Sequence, residues 1–257
     1  MKIFDAHTHL NDEPFRMKEE QYLEQAAALD VVKIATVGSN AELNQRAVDL
    51  SVKFPQVYAI VGYHPDDAKD YHDQAEQELR QQLLLPKTVA VGEIGLDYHW
   101  DASPREVQRK VFQRQLELAR ELKLPVNIHT RDALSDTYEI LKNSAVAENG
   151  GIIHSFSGDA AWAQKFLDLG MLISFSGVVS FKNAKDVHEA AKIVPLDKLL
   201  VETDAPYLTP TPFRGKQNEP GYTRYVVEAI AQLKDVPVET VAAATYQNTM
   251  EIYGIDR

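Results

Sequence analysis

The chain has 257 residues, of which 44% are hydrophobic, a formal net charge of -11 and no cysteine. A chain this long buries a sizeable core unaided, and the missing thiols exclude disulfide frameworks, thiolate metal sites and cysteine nucleophiles. The acidic balance excludes a general nucleic-acid coat, and no apolar run approaches the roughly 20 residues of a membrane helix, so a cytoplasmic protein without a leader is expected.

Short β-branched runs alternate with longer amphipathic stretches along the whole chain. The runs are residues 2–10, 31–38, 57–65, 88–97, 125–131, 150–158, 171–177 and 198–206. Helical patterns lie between them; from Pro104 to Leu122, for example, Val107, Val111, Leu118 and Leu122 recur near helical spacing. Strands alternating with helices predict parallel βαβ units, and near-continuous apolar runs suit strands covered on both faces. Eight such strands are the number that closes a barrel. The expected fold is α/β, a (β/α)8 TIM barrel, one domain over residues 1–257. The longest irregular stretch, Thr203 to Gly221, holds four of the twelve prolines and follows the last strand. Two closing helices are predicted, about Tyr222 to Leu233 and Val238 to Tyr253.

In a parallel barrel the carboxyl ends of the strands share one face, where functional groups gather. The ionisable residues at those ends are His7 and His9, His64, Glu93, His129, His154, and Glu202 with Asp204. Residues two apart on a strand point the same way, so His7 and His9 can meet one ion with Thr8 turned aside. The last strand neighbours the first in a closed barrel, which brings Asp204 to the same ion. Mixed nitrogen and oxygen donors suit zinc, manganese or a related divalent ion better than Ca²⁺. The set exceeds the three protein ligands that a single catalytic zinc takes, and predicts two divalent ions. His7, His9 and Asp204 hold one, His129 and His154 the other, and Glu93 bridges. For His64, which precedes a proline, spacing leaves ligand, substrate contact and structural cap open. His72, His99 and His188 read as surface residues.

The stretches FDAHTHL, GYHP, VGEIGLDY, PVNIHTRDA, HSFSG, SGVVSFKNA, LVETDAPYLTP and PFRGKQNEP resemble, in order and spacing, the motifs of the TatD-type deoxyribonucleases. These are a metal-dependent branch of the amidohydrolase-like barrels. The likeness runs from Ile3 to about Ile255. It implies a phosphodiesterase with two divalent ions (Zn, Mn or Mg), acting on DNA, often from a 3′ end. It implies the same six metal residues, with Glu93 where many relatives carry a carboxylated lysine. It also turns His64 toward the scissile phosphate. Two positions depart from the family. Gln217 stands where a second arginine is more usual, weakening a phosphate contact, and Thr249 stands where alanine is usual, a matter of packing.

Asp204 is expected to take the nucleophile's proton as well as to hold metal, which with Glu93 makes the catalytic pair. Arg131 shares a strand face with His129, and Lys182, Arg214 and Lys216 lie in loops after strands seven and eight. Arg131, Lys182 and Arg214 are the expected phosphate contacts, a small cationic mouth suited to single-stranded DNA or DNA ends. Tyr63, Tyr98, Trp100 and Phe181 can stack on bases, with loop packing the blander alternative. No protein partner and no membrane is predicted. The rivals are an amide or ester hydrolase on the same barrel, which leaves the basic residues without a task, and a metal-binding barrel without turnover.

Overall fold

Eight strands, most of their residues buried, make up the protein's single sheet. The computed structural model describes residues 1–255. The strands are β1 (Ile3–Thr8), β2 (Val31–Val37), β3 (Val57–Val61), β4 (Thr88–Asp97), β5 (Val126–Arg131), β6 (Gly151–Ile153), β7 (Leu172–Phe175) and β8 (Leu199–Val201). All pair in parallel in the order β1 to β8, so consecutive strands are neighbours. Every residue of β1 and of β4 is buried, as strands covered on both faces require. The helices are α1 (Glu19–Ala28), α2 (Ala41–Lys53), α3 (Asp73–Leu83), α4 (Arg105–Leu122), α5 (Leu134–Lys142), α6 (Val146–Asn149), α7 (Ala160–Asp168), α8 (Lys185–Ile193), α9 (Thr223–Lys234) and α10 (Val238–Ile252). This is the (β/α)8 barrel that the alternating pattern predicts. Among the described residues no helix is long and apolar enough to cross a membrane.

The seam between β8 and β1 closes just beyond the strand ends. Asp204 N donates to the His7 carbonyl (3.0 Å), and His9 N donates to the Ala205 carbonyl (2.8 Å). Below them the buried Asp5 carboxylate accepts from Thr203 N (2.9 Å) and Thr203 Oγ (2.6 Å). Burial, only partly offset by those bonds, lifts the Asp5 pKa well above the ordinary carboxylate range. Seam and metal-ligand candidates therefore share residues 5–9 and 203–205.

Two apolar clusters form the core. The larger joins strands to the helical shell; the smaller contains Phe4, Ala6, Ala35, Val37, Ile60 and Ala90 with Met250 and Tyr253 at the end of α10. The last helix thus closes the floor beneath β1. The buried Tyr253 hydroxyl donates to the Ala6 carbonyl (2.8 Å) and accepts from Asn127 Nδ2 (3.5 Å).

Strand irregularities re-aim the site residues. Between Asp5 and Thr8, β1 carries one residue more than its partner β2, and between Val91 and Ile94, β4 carries one more than β5. Such bulges shift the alternation of side chains. Phe4 and Ala6 belong to the inner cluster, and after the bulge His7 and His9 turn inward. Ala90 faces in, and after its bulge Glu93 does. Gly95 then sits opposite His129 with φ +143°, where a Cβ would lie 1.9 Å from the His129 carbonyl oxygen. Only glycine fits there.

Candidate functional site

The carboxyl ends of the strands open onto a cavity of about 700 Å³ lined by His9, His64, Glu93, His129, His154 and Asp204 among others. His7 lies directly behind His154, their rings stacked with centroids 3.9 Å apart. His9 and His154 stand one position past their strands, and His64 and Asp204 three positions past theirs, where loops begin. Asp204 adopts φ 55°, a left-handed turn that aspartate tolerates. All six expected metal residues converge there.

Each imidazole is held from behind by an acceptor. His7 Nδ1 donates to Asn127 Oδ1 (2.9 Å), His9 Nδ1 to the Val37 carbonyl (3.0 Å), His129 Nε2 to Asp97 (2.9 Å) and His154 Nδ1 to Glu202 (3.1 Å). Carbonyl and carboxylate oxygens only accept, so in the neutral ring these nitrogens carry the proton and the opposite ones present a lone pair. Those lone pairs meet in twos. His7 Nε2 faces His9 Nε2 at 3.3 Å, and His129 Nδ1 faces His154 Nε2 at 3.3 Å. Neutral imidazoles repel in that arrangement, and a cation between them removes the repulsion.

Glu93 lies across both pairs. Its Oε2 is 3.6 Å from His7 Nε2 and from His9 Nε2, and its Oε1 is 2.8 Å from His129 Nδ1 and from His154 Nε2. Asp204 Oδ1 stands 3.4 Å from His9 Nε2 and 3.7 Å from His7 Nε2. The electrostatics ask for positive charge at this point. Burial opposes charge on His9, yet the Asp204 hydrogen bond and the Glu93 and Asp204 carboxylates push its pKa up to about 9. His154 is also raised against its burial, by Glu93 and Glu202, and Glu93 is held low against its burial, by His154 and His129. His7 goes the other way, lowered by burial and then by His154. The donor set and its outer hydrogen bonds fit divalent metal. The atoms of His7, His9 and Asp204 lie within 4.8 Å of one another, as do those of His64, Glu93 and His129.

His64 is oriented differently despite that spacing. Its Nδ1 accepts from the Asp66 backbone N–H (3.1 Å), which leaves the proton on Nε2, 3.8 Å from Glu93 Oε1. Burial, then the neighbouring His129, lower its pKa to about 3. A neutral imidazole so placed has an N–H rather than a lone pair to offer the cavity, because its lone pair is already engaged.

Arg131 lines the cavity wall; Lys182 and Arg214 do not, and the Arg214 guanidinium stacks 3.9 Å above the Phe181 ring. Tyr63 is buried, and the Tyr98 hydroxyl donates to Asp136 (2.7 Å), so both serve packing. Trp100 stays open at the mouth. Gln217 donates to the Tyr22 hydroxyl (3.2 Å) on the surface, and the Thr249 hydroxyl is buried, donating to the Thr245 carbonyl (2.7 Å). His72 caps α3 by accepting from Ala75 N (3.2 Å), and half-exposed His99 pairs with Asp132. Sequence reasoning passed over Asn127 and Asp97, which orient His7 and His129. Asn127 lies two residues before His129, on the same strand face, and that spacing is the signal for it.

A parallel barrel with four converging imidazoles and two carboxylates at its carboxyl mouth defines a metal-dependent hydrolase. The family model described as TatD related DNase matches residues 4–254, and the chain belongs to the TatD family. It is 42% identical to the Bacillus subtilis metal-dependent hydrolase YabD over 99% of this chain and 100% of that one. It is 40% identical to the Escherichia coli metal-dependent hydrolase YcfH, over 100% of this chain and 97% of that one. The crystal structure of YJJV, a TatD homolog from Escherichia coli, superposes with a TM-score of 0.93 at 32% identity, covering 98% of both chains.

Proposed function

We propose that this hydrolase cleaves phosphodiester bonds of DNA, acting at ends or single strands as a 3′-to-5′ exonuclease. The observation that carries the reading is the pairing of imidazole lone pairs across Glu93. It supports two cation positions, one among His7, His9 and Asp204, the other between His129 and His154, with an oxygen of Glu93 directed at each. The nitrogen and carboxylate donors admit Zn²⁺, Mn²⁺ or Mg²⁺. Divalent ions bound there supply Lewis acidity toward phosphate oxygens and acidify a water.

The chain's own groups do the rest. Asp204, at the cavity wall, takes the proton of the attacking water through its carboxylate. His64 donates Nε2–H to a phosphate oxygen as negative charge grows on it, an interaction strongest in the transition state. Arg131 holds a neighbouring phosphate. A neutral amide offers Arg131 no negative charge to pair with, so phosphate fits this wall better than the amides of other barrel hydrolases. The name of the matched family, TatD related DNase, points to the same substrate.

The test sets a single-stranded oligodeoxynucleotide beside a panel of esters and cyclic amides, with Mn²⁺, Mg²⁺ or Zn²⁺. Oligonucleotide shortening from the 3′ end, abolished by chelator and by Asp204→Asn, is expected. Amide turnover without DNA cleavage would replace the reading with its rival. Loss of neither by Asp204→Asn would remove Asp204 from the chemistry.

A further inference from the structure

Among the described residues, the large apolar side chains that stay exposed include two aromatics, Trp100 at 64% and Tyr207 at 55%. Both line the cavity over the metal-ligand candidates. Trp100 follows β4 and Tyr207 follows β8; in a ring of eight consecutive strands those two stand diametrically opposed. The two residues therefore reach the cavity around Glu93 and its histidines from loops on opposite sides of the barrel.

Both turns are anchored. The Trp100 backbone N–H donates to Asp97 Oδ1 (2.9 Å), and the other oxygen of Asp97 accepts from His129. The His99 ring meets the indole edge-on at 5.0 Å, and the Arg131 guanidinium lies 5.5 Å from its centroid. Across the mouth, Tyr207 N donates to the Asp204 carbonyl (2.9 Å), its hydroxyl donates to Asp12 (3.2 Å), and its ring approaches His9 edge-on at 6.2 Å. Each aromatic is thus tied to one of the two imidazole pairs, Trp100 to that of His129 and Tyr207 to that of His9.

The charge on these walls is unsuited to gripping a polyanion. Among the described residues Arg131 is the only lysine or arginine lining the cavity, while Asp12, Asp66 and Asp67 line it too. Attraction for substrate beyond the metals and Arg131 must then come from something uncharged, and exposed aromatic faces supply it.

We propose that Trp100 and Tyr207 form a two-jaw nucleobase clamp, one base stacked on each, with the phosphodiester between the two nucleotides lying across Glu93. The clamp rests on the nuclease reading and names its substrate form. A paired base inside a duplex has both faces covered by neighbours, so only an unpaired dinucleotide segment can enter. Recognition is by ring faces and is tolerant of base identity. With few phosphates neutralised by the protein, affinity falls shallowly with salt.

The test uses fluorescence, because the sequence has two tryptophans. Trp162→Phe leaves Trp100 as the sole indole. Full-length protein is titrated, in chelator, with oligothymidylate and with a deoxyribose-phosphate oligomer of equal length lacking bases. Quenching by the first and not the second is expected. In filter binding, Trp100→Leu and Tyr207→Leu each weaken oligothymidylate by about 5- to 150-fold, the range for one lost base stack. Tyr207→Phe keeps the ring and binds like the parent. Both side chains are exposed, so melting temperatures stay near the parent's. Equal binding of the base-free oligomer, or parental affinity in both leucine variants, overturns the clamp. Base-dependent binding by a metal-loaded protein that cleaves no phosphodiester supports the clamp and overturns the nuclease reading. Cleavage of both oligomers at equal rates does the reverse.

Discussion

Asp97→Asn tests how a metal-ligand candidate is kept in the right tautomer. Asp97 Oδ2 accepts from His129 Nε2 at 2.9 Å, while Oδ1 accepts from the backbone N–H groups of His99 and Trp100, both at 2.9 Å. An amide of the same shape cannot serve both sides. If its oxygen stays with the backbone, its NH₂ faces His129 Nε2, and the ring proton moves to Nδ1, the nitrogen 2.8 Å from Glu93 Oε1. The lone pair that would meet a cation is then gone. If the amide turns over, two backbone donors lose their acceptor at about 1–3 kcal/mol each. Loss of such an outer partner costs about 10–100-fold in metal affinity, or about 1.4–2.7 kcal/mol. The assay is a chelator competition that resolves two binding steps. The step involving His129 and His154 weakens by that factor, while the step at His7, His9 and Asp204 holds. Two undiminished steps, with the melting temperature of the parent, would refute the tautomer argument.

Three further outcomes follow from the geometry. Gly95→Ala places a Cβ 1.9 Å from the His129 carbonyl oxygen at a φ of +143°; overpacking of about 1–3 kcal/mol or more is expected in urea unfolding, and parental stability would deny the close approach. Tyr253→Phe strips the Ala6 carbonyl and Asn127 Nδ2 of a shared hydroxyl; about 1–3 kcal/mol of stability is lost, and calorimetry should show weaker metal binding because Asn127 no longer fixes His7. Glu76 is held below its ordinary pKa chiefly by its hydrogen bonds to Arg114, the Nε contact being 2.7 Å. Since the folded value is the lower one, its contribution is present above the unfolded carboxylate pKa of about 4.3 and fades as pH falls through the folded value. Glu76→Gln should therefore cost about 0.5–1 kcal/mol at neutral pH, discounted because Arg114 is exposed to screening, and nearly nothing in strong acid; an equal penalty at both would rule out the ionic origin.

The barrel was readable because its strands are uninterrupted apolar runs with ionisable residues gathered at one end. The six convergent side chains were readable for the same reason. How they turn inward was not. Strict alternation from Phe4 and Ala6 would send His7 to the opposite face, and an unpredicted extra residue in β1 corrects it. The partners that orient the imidazoles were equally hidden. Asn127 is 120 positions from His7, and the acceptor for His9 is a main-chain carbonyl, which has no signature in a side-chain alphabet. Tyr207 was read only as part of a proline-rich loop, since its place opposite Trp100 exists only once the barrel closes. Lys182 and Arg214 were chosen for charge and loop position, and neither property says which way a loop leans.

The floor of the barrel sets the order in which the molecule can become competent. A ribosome releases the FDAHTH segment 247 positions ahead of the Tyr253 turn, yet the latter buttresses the former through Ala6 and Asn127. Synthesis proceeds at about 5–20 residues per second, so a nascent chain carries its first two histidines for many seconds with no floor beneath them. Competence to bind metal should therefore arise only once the Tyr253 turn is in place, and a product cut short within α10 should be inert however much of the rim it retains.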